Sequence, residues 1–131
     1  MKDSSTATKR ILVVEDEPAI CQVCLRVLTS EGFEVDIAVN GDVAQDMLRE
    51  KNYDLCLIDI KTPVMNGKQL YQVIIGKHPK LADGVIFATG DVIDGYTQHF
   101  LELASRPFIL KPFTPDELKT IVKETLRQIE E

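Results

Sequence analysis

Short runs of aliphatic and β-branched residues recur along the chain at Ile11 to Val14, Val35 to Val39, Leu55 to Ile58, Val85 to Ala88 and Phe108 to Leu110. Between them the apolar spacing becomes helical. Ile20, Val23, Cys24, Val27 and Leu28 form one stripe behind Pro18, and Ala44, Met47 and Leu48 form a second. Leu70, Val73 and Ile74 mark a third helix, entered at the Asn66-Gly67 turn signal, and Phe100, Leu101 and Ala104 mark a shorter fourth. The last helix carries the longest stripe, Leu118, Ile121, Val122, Thr125, Leu126 and Ile129. Thr114 suits its N-cap, with Pro115 at the first helical position and Glu117 completing a capping box.

Strands that alternate with helices imply parallel pairing, because each helix supplies the crossover that a parallel neighbour needs. The runs are apolar almost throughout, as expected of strands covered on both faces. The expected class is therefore α/β: a doubly wound, flavodoxin-like sheet of five parallel strands in the order 2-1-3-4-5, with five helices. That order sets the first strand beside the third and places function at their carboxyl ends, where the strand order reverses.

Composition narrows the classes that such a fold can serve. The chain has 131 residues, 44% of them hydrophobic and 27% charged, with a formal charge of -6. Mass scaling lets a chain of this size bury about two-thirds of its surface, enough for one core. We expect residues 1–9, a polar lead-in without an apolar core, to be a flexible extension, and residues 10–131 to form the domain. No apolar run has the ~20 residues of a membrane helix, so membrane insertion is not expected. An acidic balance without a basic stripe argues against nucleic-acid binding. Three cysteines, an odd number, fit a reducing, cytoplasmic setting. Cys21 and Cys24 form a C-x-x-C, but inside a helix rather than at its first turn, where packing is the simpler explanation.

The chemistry collects at the strand ends. The first strand ends in Glu15, Asp16 and Glu17 and the third in Asp59, so adjacent strands should bring these acids together. Two carboxylates about 4 Å apart repel by about 4 kcal/mol at an effective dielectric near 20. A divalent cation relieves that repulsion, and an all-oxygen donor set suits Mg²⁺, or Mn²⁺, better than zinc. Lys111 follows the fifth strand and Thr89 ends the fourth, so an ammonium and a hydroxyl face the same rim. A Lys placed there can pair with a carboxylate at rest and with a phosphoryl oxygen when one arrives.

The ordered set resembles the receiver domain of two-component response regulators over about residues 9 to 129. The matching residues are Glu15-Asp16-Glu17-Pro18, then Asp59 with Pro63 and Gly67 behind it, then Thr89, then Lys111-Pro112-Phe113. The resemblance makes Asp59 the phosphoacceptor and gives the direct metal carboxylates as Asp16 and Asp59. Glu15 would act through metal-bound water, and Lys61 would offer its backbone carbonyl. Thr89 and Lys111 would hold the phosphoryl oxygens. Thr89 and Phe108 would form the switch, and Lys61 and Asp91 would tune the phosphoryl lifetime. A cis Lys111-Pro112 bond is implied as well. Pro63, Gly67 and Pro112 are otherwise most simply turn formers.

The implied partners are a histidine kinase or histidine phosphotransfer protein, and a downstream protein or fused domain. Neither His78 nor His99 suits the donor, and dimerisation through the last helix and strand stays open. Thr89-Gly90-Asp91 and Arg106-Pro107-Phe108 also resemble receivers fused to hybrid sensor kinases. The chain would catalyse its own phosphorylation and dephosphorylation as a switch rather than as a turnover enzyme. Two departures from the family pattern stand out: Glu15 replaces the more usual Asp, and Phe108 lacks a tyrosyl hydroxyl. Competing readings are an interaction-only pseudo-receiver, a flavodoxin-like small-ligand module and an Asp-nucleophile phosphatase. The acidic first loop is hostile to a bare phosphate, and Lys61 stands where the phosphatase needs a second Asp.

Overall fold

The computed structural model describes residues 8–62, 64–90 and 94–130. Five strands, β1 (Arg10–Val14), β2 (Glu34–Ala38), β3 (Leu55–Asp59), β4 (Val85–Thr89) and β5 (Phe108–Leu110), alternate with helices. The helices are α1 (Pro18–Ser30), α2 (Gly41–Glu50), α3 (Gly67–Lys77), α4 (Pro79–Ala82), α5 (Gly95–Ala104) and α6 (Pro115–Glu130). The strands form one parallel sheet in the order β2-β1-β3-β4-β5. This is the expected architecture with one helix more than expected.

The addition is α4, a single turn. His78 closes α3 by donating its N–H to the Ile74 carbonyl at 2.8 Å, and Pro79 then starts a new turn, in which Leu81 N–H reaches the His78 carbonyl at 2.9 Å. Four residues are too few to show a 3.6-residue period, so the Lys77-His78-Pro79 stretch reads as a loop in sequence.

Burial follows position in the sheet. The central β3 and β4 are buried along their whole length, whereas the edge strands β2 and β5 are partly exposed. One face of the sheet packs Leu12, Cys56, Ile58 and Phe87 under α2, α3 and α5. There Tyr71, Phe87 and Phe100 meet edge to face, with ring centroids 5.1 to 6.1 Å apart. The other face packs Ile11, Val13, Leu57 and Ile86 under α1 and α6. Cys24 and Cys56 are fully buried within these layers, and burial pushes the Cys24 thiol up to about 12. They are packing residues, and so reduced Cys24 offers no thiolate for C-x-x-C chemistry.

Helix entries follow local chemistry. Asn66 and Gln69 form a reciprocal capping box at α3, and Thr114 and Glu117 form the expected one at α6, with bonds of 2.8 and 3.1 Å. Among the described residues, backbone pairing begins at Lys9, whose carbonyl accepts the Glu34 N–H at 3.0 Å. No helix among the described residues is long and apolar enough to cross a membrane.

Candidate functional site

Strand register assembles the site. Val14 pairs with Ile58, so the next residue on each strand, Glu15 and Asp59, emerges at the same edge of the sheet. The Glu15 N–H extends the β1–β2 ladder to the Ala38 carbonyl at 2.9 Å, and the Ile60 N–H extends β3 to the Ala88 carbonyl at 3.0 Å. One strand further on, Lys111 N–H reaches the Thr89 carbonyl at 2.8 Å, which fixes the root of the lysine at the tip of β5. Backbone bonds therefore aim three acid-bearing or basic strand ends at one small volume.

Lys111 stands at its centre. Its ammonium lies 3.2 and 3.3 Å from the two oxygens of Glu15, 3.2 Å from Asp59 Oδ2 and 2.7 Å from Glu17 Oε1. Carboxylate oxygens of Glu15, Glu17 and Asp59 lie within 4.8 Å of one another. The Glu15 and Asp59 side chains are 2% and 6% exposed, whereas Glu17 is 59% exposed. Burial, reinforced by the charge of Asp59, pushes the Glu15 carboxyl up to about 7. Burial alone would lower the Lys111 ammonium. The hydrogen bond to Glu17 and the charges of Asp59 and Glu15 outweigh it and hold the ammonium above its ordinary value.

The loop after β3 is tied back to Asp59. Lys61 N–H donates to Asp59 Oδ1 at 3.1 Å, and the Thr62 hydroxyl lies 3.3 Å from the Asp59 carbonyl and 3.2 Å from that of Met65. Thr62 is buried, a role its sequence position does not announce. Gly67 stands at the helix entry that Asn66-Gly67 signals in the sequence. It is the first residue of α3, and a Cβ there would sit 2.8 Å from Ile60 Cα and 3.0 Å from the Asp59 carbonyl oxygen. Close approach to β3, rather than a special backbone angle, demands glycine here.

The other expected residues are placed as follows. Thr89 is buried at the end of β4, and Phe108 is 47% exposed on β5. Asp16 and Lys61 are exposed at the rim. Pro63 and Asp91 lie outside the described residues. The Lys111-Pro112 peptide is cis. Glu17 belongs to the cluster although the resemblance gives it no role; the count of acids at the end of β1 is the signal that points to it. His78 is remote, at the amino-terminal end of the strands, and its buried Nε2 has no hydrogen-bond partner among the described residues.

Residues 11–123 match the family model of the response regulator receiver domain. The chain belongs to that family. It is 33% identical over 130 residues to the DNA-binding response regulator MtrA of Mycolicibacterium smegmatis, covering 96% of this chain and 54% of the relative. It is 32% identical to the transcriptional regulatory protein DltR of Streptococcus agalactiae over 124 residues, covering 91% and 52%. The chain thus spans about half the length of these curated relatives. A CheY-like receiver domain protein from Methanospirillum hungatei superposes with a TM-score of 0.86 at 31% identity, covering 95% of this chain and 98% of that one. The receiver domain of the sensor histidine kinase PA1611 from Pseudomonas aeruginosa, solved with magnesium coordinated in its active-site cleft, gives 0.81 at 27% identity, covering 92% and 99%.

Proposed function

We propose that this receiver domain accepts a phosphoryl group on Asp59 from a phosphohistidine of a kinase or phosphotransfer protein. An Asp59 oxygen attacks phosphorus as the phosphorus–nitrogen bond breaks, and the histidine leaves as imidazole. The observation that carries the reading is a buried Asp59 carboxylate held 3.2 Å from the ammonium of Lys111, whose side chain is 10% exposed, at the carboxyl edge of a doubly wound sheet. That edge is where such sheets put their chemistry.

The donor set fits a hard cation. It is all oxygen, from Asp16, Asp59 and the Lys61 carbonyl, with Glu15 acting through water and no Cys or His among them. The magnesium coordinated in the active-site cleft of the related PA1611 receiver supports the choice of metal. Mg²⁺ at these residues would offset the negative charge of the transferring group. The chain's own residues do the rest. Lys111 turns part of its ammonium toward the new phosphoryl oxygens, and Thr89 offers its hydroxyl from β4. Phosphorylation adds about -1.5 to -2 charge, and capturing it pulls Thr89 toward Asp59. Phe108, half exposed on the neighbouring strand, would then turn into the space vacated, reshaping the surface of α5, β5 and α6 for a downstream protein. Lys61 and Asp91 would shield the phosphoryl group from water, and unchanged decay in both Lys61→Ala and Asp91→Ala would reject that part.

MtrA is a DNA-binding response regulator and DltR a transcriptional regulatory protein, and an output of that kind would pass in this chain through a protein partner or a fused domain rather than this acidic surface. The test is mass spectrometry after incubation with Mg²⁺ and acetyl phosphate. One phosphoryl mass should appear, and it should be absent in Asp59→Ala and after chelation. No adduct from acetyl phosphate or a phosphorylated kinase would overturn the mechanism and leave the interaction-only reading.

A further inference from the structure

The Glu17 carboxylate makes the shortest contact to Lys111, and phosphoryl transfer to Asp59 as described uses it for nothing. We infer that Glu17 is a positioning residue, the exchangeable partner that Lys111 gives up when a phosphoryl group on Asp59 claims the ammonium. This inference rests on Asp59 being the phosphoacceptor.

An ammonium has three N–H donors. Three carboxylates, Glu15, Glu17 and Asp59, share the one on Lys111. A phosphoryl oxygen can gain a strong hydrogen bond from Lys111 only where one of these lets go. Asp59 becomes the acyl phosphate and passes its contact to the phosphoryl group without leaving a charge behind, so a second phosphoryl hydrogen bond has to come from Glu15 or Glu17, and releasing Glu15, at 2% exposure, would strand a buried charge. Glu17, 59% exposed, can turn into water, so it is the partner that leaves at least cost.

The start of α1 supplies an independent observation. Glu17 is the N-cap of that helix, with extended backbone angles, and its side chain makes no capping hydrogen bond. Ser, Thr, Asp or Asn would ordinarily satisfy a helix N–H from this position. Here the longer Glu side chain crosses from β1 to the tip of β5 instead, leaving the local helix chemistry unmet. A broken local rule at a strand end that carries the site marks a residue placed for the site rather than for the helix.

The experiment measures beryllofluoride, a phosphoryl mimic, binding to the whole chain and to Glu17→Gln at saturating Mg²⁺, together with the Mg²⁺ affinity of each. Freed of its competitor, Lys111 should bind the mimic about 2- to 5-fold tighter in the variant, the range expected of a partly exposed ion pair. The ratio between the proteins should fall toward one in high salt, which screens the pair in the wild type. The Lys111 ε-carbon NMR signal should shift in the variant without the mimic, a change that a purely structural role at the helix start would not produce. Unchanged or weaker binding of the mimic by Glu17→Gln overturns the inference. So does a loss of Mg²⁺ affinity as the only effect, which would make Glu17 a metal carboxylate. Wild-type protein that takes up neither the mimic nor a phosphoryl mass rejects the Asp59 reading itself, whereas normal uptake with no effect of the variant rejects the latch alone.

Discussion

Glu15 and Asp59 end adjacent parallel strands, and both reach the ammonium of Lys111 at 3.2 Å from inside the protein. Two buried acids thus depend on one cation. Burial and Asp59 together raise the Glu15 carboxyl to about 7, above its ordinary 4.5. A group whose folded pKa is raised contributes stability that is complete below the unfolded value and is lost as pH rises through the folded one. The metal-free protein should therefore lose stability between about pH 4.5 and pH 7 through this group. Urea midpoints across that interval in the presence of a chelator should fall for the wild type and fall less for Glu15→Gln. Parallel pH profiles for the two proteins would count against a strained Glu15.

Removing the cation gives the complementary prediction. Lys111→Ala leaves Glu15 and Asp59 facing each other with no positive charge between them, and breaking a buried pair of this kind costs about 3 kcal/mol or more. The loss should be largest near pH 8 and smaller at pH 5, where Glu15 can take a proton. Saturating Mg²⁺ should restore more stability to Lys111→Ala than to the wild type, because it replaces the missing charge. Equal gains in thermal midpoint for both proteins would mean that Mg²⁺ does not neutralise the acids that Lys111 pairs.

Gly67 shows where the sequence was readable and where it was not. The five apolar runs and their helical spacers foretell the sheet and its order, because burial on both faces forces continuous hydrophobic strands. Glu15, Asp59, Thr89 and Lys111 are legible as a site because parallel pairing brings strand ends together whatever the side chains do. Gly67 was legible as a turn and helix-entry signal. Its reason, the passage of α3 against Ile60 and Asp59, is a tertiary contact that no spacing encodes. Glu17 was visible as one acid among three; its choice of Lys111 over the helix N-terminus follows from the placement of β5. The one-turn α4 was hidden by its brevity.

Gly67→Ala should cost about 1 to 3 kcal/mol, the usual range for forcing a methyl into a closed contact. The displaced atoms belong to Ile60 and to the Asp59 carbonyl, so the variant should also lose phosphorylation rate. Replacing exposed Gly76, where a Cβ meets nothing within 4 Å, is the control and should leave both quantities near wild type. A folded Gly67→Ala with unaltered stability and rate would show that α3 can slide from β3 freely.

Far from the site, Tyr53 donates its hydroxyl to Asp36 Oδ2 at 2.7 Å, tying the start of β3 to the edge strand β2. Tyr53 is buried, and its hydrogen bond, joined by Lys51 at 3.1 Å, holds the Asp36 carboxyl below its ordinary range. A depressed carboxylate contributes stability that is present above its unfolded pKa and is lost as pH falls through the folded one. Tyr53→Phe should thus cost about 1.5 to 3 kcal/mol at neutral pH, the scale of a hydrogen bond to a charged group. That deficit should narrow as acid protonates Asp36 in both proteins, and Asp36→Asn should show little further loss when combined with Tyr53→Phe. A deficit that stays constant from neutral pH down to about pH 3 would mean that the contribution of the Tyr53 hydroxyl does not depend on the Asp36 charge, leaving β2 held by its backbone ladder to β1.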